Sequence, residues 1–200
     1  MNKPVLDFSV FQKKVAQEFI DMGAKNMDYN DVGFSRLFTK YRDEYENHIY
    51  TYAGKTLHPG VQFTIPAKHD IFLDITLLGF SAHPTEETNG FLFTGAKGLI
   101  DNGGMKRMVK LSLNQFKTYS PRKTTIKFVA SKEPGHLLLF PSIHVDEGAS
   151  ESVGWGAMIE KSSTSRSLEL DCSISHERPD FTDAHILLEW SEGYVKREFF

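Results

Sequence analysis

Near Gly60 the apolar rhythm of this chain changes from steps of three and four residues to steps of two, and few architectures accommodate both halves. Upstream, Phe8, Phe11, Val15, Phe19 and Met22 recur at helical spacing, with Asp7 placed as an N-cap and Gly23 as a stop. A second helical pattern runs from about Gly33 to Tyr52 through Phe34, Leu37, Phe38, Tyr41, Tyr45 and Ile49. Arg36, Lys40, Asp43, Glu44 and Asn47 fall on its opposite face, Gly54 closes it, and His58-Pro59-Gly60 marks a turn. Both segments are expected to be amphipathic helices.

Downstream of Gly60, Val61, Phe63 and Ile65 alternate with Gln62 and Thr64. Ile71, Leu73, Ile75 and Leu77 form an apolar row, and Asp74 and Thr76 lie on the other face. Asn102-Gly103 is a hairpin signal leading into Met105, Arg107, Val109, Leu111 and Leu113. Further strands are expected over 125–130, 136–140, 153–160, 168–175, 184–190 and 194–199. No helical patterns separate these runs, as the crossovers of a parallel sheet would require. The expectation is a mainly β protein, α+β by count. An antiparallel β-sandwich or jelly-roll-like body follows two N-terminal helices, as one domain over 1–200 with 1–56 packed on 60–200.

A chain of 200 residues buries roughly 70% of the surface its unfolded form exposes. Its core therefore needs no disulfide, and the 16 Phe suit the inner faces of sheets. The single cysteine, Cys172, alternates with Leu170 and Ile174 and is expected to point inward as a small apolar residue. The opening Met1-Asn2-Lys3-Pro4 meets Asp7 at once, without an apolar leader. The longest nearly apolar runs, 71–80 and 137–143, fall short of the roughly 20 residues of a membrane helix. A cytoplasmic or virion-associated, non-secreted location without membrane contact is expected.

Net charge is −3, with 23 Lys and Arg scattered along the chain, unlike the clustered basic surface of most nucleic-acid binders. Nucleic acid is not the expected partner, and the one route to it would be the basic stretch Lys106, Arg107, Lys110, Lys117, Arg122, Lys123 and Lys127, which strand alternation would split between two faces. The segment from Gly90 to Lys97 has two glycines and a lysine but not the spacing of a phosphate-binding loop, because Ala96 intervenes and Gly98 follows Lys97. His58, His69, His83 and His136 stand beside turn or polar residues and are expected to be solvated. The terminal pair Phe199-Phe200 either tucks into the sheet or offers an apolar end to a partner.

The best metal candidate is Ile143-His144-Val145-Asp146, because residues two apart on a strand face the same side. With His176, His144 and Asp146 would complete a two-histidine, one-carboxylate set for Fe(II), and Arg178 would hold a co-substrate carboxylate. The preceding Gly135-His136-Leu137-Leu138-Leu139-Phe140-Pro141-Ser142 resembles a strand of iron- and 2-oxoglutarate-dependent oxygenases and, more loosely, of cupins. That resemblance covers about ten residues and implies a metal histidine downstream of a separate His-x-Asp pair, which does not occur before His144. By elimination, the leading expectation is a non-catalytic structural or interaction subunit of a larger assembly, such as a virion or phage-tail component. Its partners would be other proteins or copies of itself, with no cofactor. A non-haem iron oxygenase or cupin-like enzyme is the alternative.

Overall fold

Asp7 ends a short strand, β1 (Val5–Asp7), and caps helix α1 (Phe8–Asp21) by accepting a hydrogen bond from the Ser9 backbone N at 3.0 Å. At the far end Gly23 takes the left-handed conformation, φ 91°. The N–H groups of Gly23 and Ala24 can then donate to the carbonyls of Ile20 and Phe19, at 2.9 and 3.0 Å. Both boundary signals of this helix were legible in the sequence. Met22, expected on the buried stripe, lies just past the last turn and is 73% exposed. Gln12 is buried instead, its amide donating to the Val32 carbonyl at 3.0 Å. The computed structural model describes residues 2–25, 32–80, 89–101, 107–108, 110–113, 123–145, 149–151, 156–174, 179 and 181–200.

The second long helix does not form. The segment divides into α2 (Phe34–Lys40), a 3₁₀ turn (Arg42–Asn47) and strands β2 (Ile49–Tyr52) and β3 (Lys55–Thr56). Ile49-Tyr50-Thr51-Tyr52 is a β-branched and aromatic run, and β2 pairs in parallel with β1 through Val5↔Ile49 and Leu6↔Tyr50. That long-range pairing outweighs the helical spacing. Gly33 gives α2 no side-chain cap, and seven residues hold a helix only where packing supports them.

The body begins with β4 (Val61–Ile65), β5 (Asp70–Phe80), β6 (Asn89–Ala96), β7 (Gly98–Asp101), β8 (Arg107–Met108) and β9 (Lys110–Leu113). It continues with β10 (Lys123–Ala130), β11 (Gly135–Val145), β12 (Ala149–Glu151), β13 (Ala157–Ser163), β14 (Ser167–Ser173), β15 (Ala184–Trp190) and β16 (Lys196–Phe199). They form two antiparallel sheets, as expected. One has the order β13-β14-β15-β5-β10-β7-β8, and the other β16-β4-β11-β6-β9 with β12 on β11. The inward rows Val61, Phe63 and Ile65 and Ile71, Leu73, Ile75 and Leu77 enter one core from opposite sheets. Phe63 meets Trp190 edge-on across the sandwich, centroids 5.2 Å apart. Cys172 is fully buried there, and burial raises its thiol pKa well above the usual range. The 90–97 segment lies mainly in β6, with Gly90, Phe91, Phe93 and Gly95 buried.

A second core, rich in aromatic rings, joins the N-terminal segment to the body. Phe8, Phe34, Leu37, Phe38, Tyr50 and Leu57 pack with Ala157 of β13, and Ile159 and Phe181 of the body rest against them. Phe8 lies 4.7 Å from Tyr50 and 5.1 Å from Phe38 between centroids, and Phe34 stacks on Phe181 at 6.2 Å.

Candidate functional site

Four residues, Leu57 to Gly60, connect the three-stranded sheet to the sandwich, and a cleft of about 620 Å³ opens beside them. The His58 backbone is bonded in both directions to Met158 of β13, an edge strand of one sheet, at 2.9 and 2.7 Å. Its ring stacks on Phe199 of β16, an edge strand of the other sheet, with centroids 3.8 Å apart and planes at 15°. Burial lowers the His58 pKa from 6.5 to about 4, with Glu160 drawing it back up and Arg197 pushing it further down. The ring is thus a neutral imidazole at neutral pH, carrying one donor and one acceptor. Solvation, expected from the flanking Pro59 and Gly60, does not hold for this histidine.

Gly60 admits the end of the chain. A Cβ there would fall 2.6 Å from the Leu139 carbonyl oxygen and 2.5 Å from Cζ of Phe200. The Phe200 backbone N donates to the Gly60 carbonyl at 3.3 Å, and its ring meets Phe140 edge-on at 5.1 Å. The terminal phenylalanines are therefore tucked against the sheet. Arg197 stands 5.2 Å from the Phe199 centroid and 3.8 Å from a Glu160 carboxylate oxygen, so this pair joins the two sheet edges as well.

The cleft lining is mixed: Ile49, Leu57, Phe199 and Phe200 are apolar, and Lys3, His48, Gln62 and Glu198 contribute polar groups. Tyr50 also lines it, its pKa pushed up to about 12 mainly by burial, and its hydroxyl donates to the Tyr41 carbonyl at 3.1 Å. At neutral pH the His58 imidazole and the Tyr50 phenol are therefore both uncharged, and the Tyr50 hydroxyl is engaged within the protein. Alongside, Val5 and Ile49 are direct partners on the outward face of the small sheet, 61% and 36% exposed. Their neighbours Leu6 and Tyr50 turn to the inner face.

Of the metal candidates, His144 lies on β11, its backbone opposite Ser150 of β12, and its side chain is outside the described residues. Asp146, His176 and Arg178 also lie outside them. Among the described residues, no three His, Cys, Asp or Glu side chains are grouped closely enough to hold a metal ion. Lys123 and Lys127 lie on the outer face of the larger sheet, paired with Asp74 at 2.9 Å and Asp70 at 2.6 Å. Arg107 and Lys110 belong to strands of different sheets, and Lys106, Lys117 and Arg122 lie outside the described residues. No helix among the described residues is long and apolar enough to cross a membrane. Comparison with protein-family models, curated proteins and solved structures returns no match.

Proposed function

We propose that the chain is a non-catalytic structural or interaction subunit of a larger assembly, with a virion or phage tail as its concrete setting. The cleft lined by β2 and β16, with Lys3 just ahead of β1, receives an extended segment of a neighbouring subunit. The observation that carries this proposal is the exposed pair Val5–Ile49 on a sheet that ends at β1, continuous with the cleft through Ile49, which lines it. Among the described residues the outer edge of β1 has no strand partner. An open edge offers backbone donors and acceptors to an incoming strand, and an adjoining hollow takes its alternate side chains. Lys3 and Glu198, of opposite charge, would fix the direction of that strand.

Size-exclusion chromatography with light scattering over rising concentrations tests the proposal, run on wild type and on a Val5→Lys, Ile49→Lys double variant. Association with itself or with a defined partner, lost in the variant, is the expected result. A strict monomer that takes up no partner, or association untouched by the variant, overturns it.

A further inference from the structure

The outer face of the larger sheet holds a second groove, of about 470 Å³, where the 164–166 turn meets the end of β15. Phe72, on the central strand β5, points outward into it and is 48% exposed. Lys127, already paired with Asp70, stands 5.0 Å from the Phe72 centroid. Around this ring the groove carries charges of both signs. Asp74 is committed, accepting from Thr125 at 2.5 Å and Lys123 at 2.9 Å. Glu189 sits in register between Asp74 and Ser167. Neither its carboxylate nor the guanidinium of Arg166 forms an ion pair with another described residue. The Arg166 backbone is fixed, its N donating to the Thr164 hydroxyl at 3.1 Å and its carbonyl accepting from the Trp190 N at 3.0 Å.

We propose that this groove binds a neutral oligosaccharide. Two negative and two positive side chains cancel within it, so a ligand of either sign gains little from the field. What remains is one half-exposed aromatic ring, with the Lys127 ammonium over one face, flanked by a planar donor, Arg166, and a planar acceptor, Glu189. The hydroxyls of Thr164 and Ser167, bonded to each other at 2.8 Å, lie alongside. A pyranose matches that set. Its C–H face lies on an aromatic ring, and its neighbouring hydroxyls donate to a carboxylate and accept from a guanidinium. A strand from a protein partner would look for an open sheet edge, whereas Phe72 stands in the interior of the seven-stranded sheet. The inference goes beyond the assembly proposal and stands independently of it.

A printed array of neutral and acidic oligosaccharides, followed by titration calorimetry with the best-retained neutral glycan, tests it. Wild type is expected to retain neutral glycans. Arg166→Ala and Glu189→Ala should each weaken binding about tenfold or more, as loss of a hydrogen bond to a charged group does. Phe72→Ala should abolish binding and Phe72→Tyr keep it, all with the unfolding midpoint near that of wild type. The Val5→Lys, Ile49→Lys variant should bind glycan unchanged, which separates this site from the subunit cleft. No glycan retained, retention of acidic glycans alone, or undiminished binding by the Arg166 and Glu189 variants overturns the proposal.

Discussion

The rings of His58 and Phe199 lie nearly parallel, 3.8 Å between centroids, although the His58 backbone is bonded to an edge strand of one sheet and Phe199 belongs to an edge strand of the other. His58 follows β13 through Met158, and Phe199 pairs with Val61 of β4. The stack therefore ties the two sheets together on the side where the N-terminal segment docks. Only the neutral imidazole is at home there, since charging it in this enclosure forfeits hydration.

Stability should fall as the solution is acidified, in a window that His58 defines. Its folded-state pKa of about 4 lies below the ordinary 6.5, so the unfolded chain takes up the proton first. The contribution is full above about pH 6.5 and is lost as pH falls toward 4, by at most about 3 kcal/mol. Urea unfolding at pH 4.5 and 7.5 checks it. His58→Gln should show a smaller drop between the two pH values than wild type, whose carboxylates contribute equally in both proteins. An identical drop would remove His58 as the cause.

Gly60→Ala should destabilise the protein by roughly 1–3 kcal/mol, the usual range for forcing extra volume into a packed site. The added methyl meets a backbone carbonyl at 2.6 Å, which moves less readily than the Phe200 ring at 2.5 Å. Removing the C-terminal ring in the same background, with Phe200→Ala, should recover only part of the loss. Thermal unfolding of both variants is the measurement.

Asp7→Ala should cost about 1 kcal/mol by leaving the Ser9 N–H at the start of α1 without its capping carboxylate. Asp7→Asn should cost less, because the amide oxygen still accepts. Denaturant midpoints followed by circular dichroism distinguish the two. Equal losses would place the effect in β1 pairing instead of the cap.

Iron analysis weighs the subunit proposal against the oxygenase alternative. Protein purified without chelator is expected to hold no stoichiometric iron and to keep its melting temperature in EDTA. One iron per chain, lost in His144→Ala, would give His144, Asp146 and His176 the metal role and displace the assembly proposal.

Much of the body was legible because its rows are read locally. The row expected through Arg107, Leu111 and Leu113 nevertheless divides, with Arg107–Met108 in one sheet and Lys110–Leu113 in the other, and Met105 and Val109 lie outside the described residues. Val61, Phe63 and Ile65 all turn inward, as do Ile71, Leu73, Ile75 and Leu77, since a sheet with one buried face requires that alternation. The second helix was misread because Ile49 and Tyr52 fit a helical step as well as they fit a strand. The deciding contact, with Val5 and Leu6, lies more than 40 residues away in sequence. The cleft was illegible for the same reason. Lys3, His58 and Phe199 come from three distant parts of the chain, and no spacing between them carries a signal. Around His58 the local sequence signals a turn, and the burial is imposed by Phe199.

The enclosed position of Cys172 equips this chain with a built-in reporter. A maleimide dye finds no reactive thiolate while the sandwich is shut, so each labelled molecule records one opening of the β13–β14–β15 side. Labelling rates measured across denaturant would time those openings without any engineered probe.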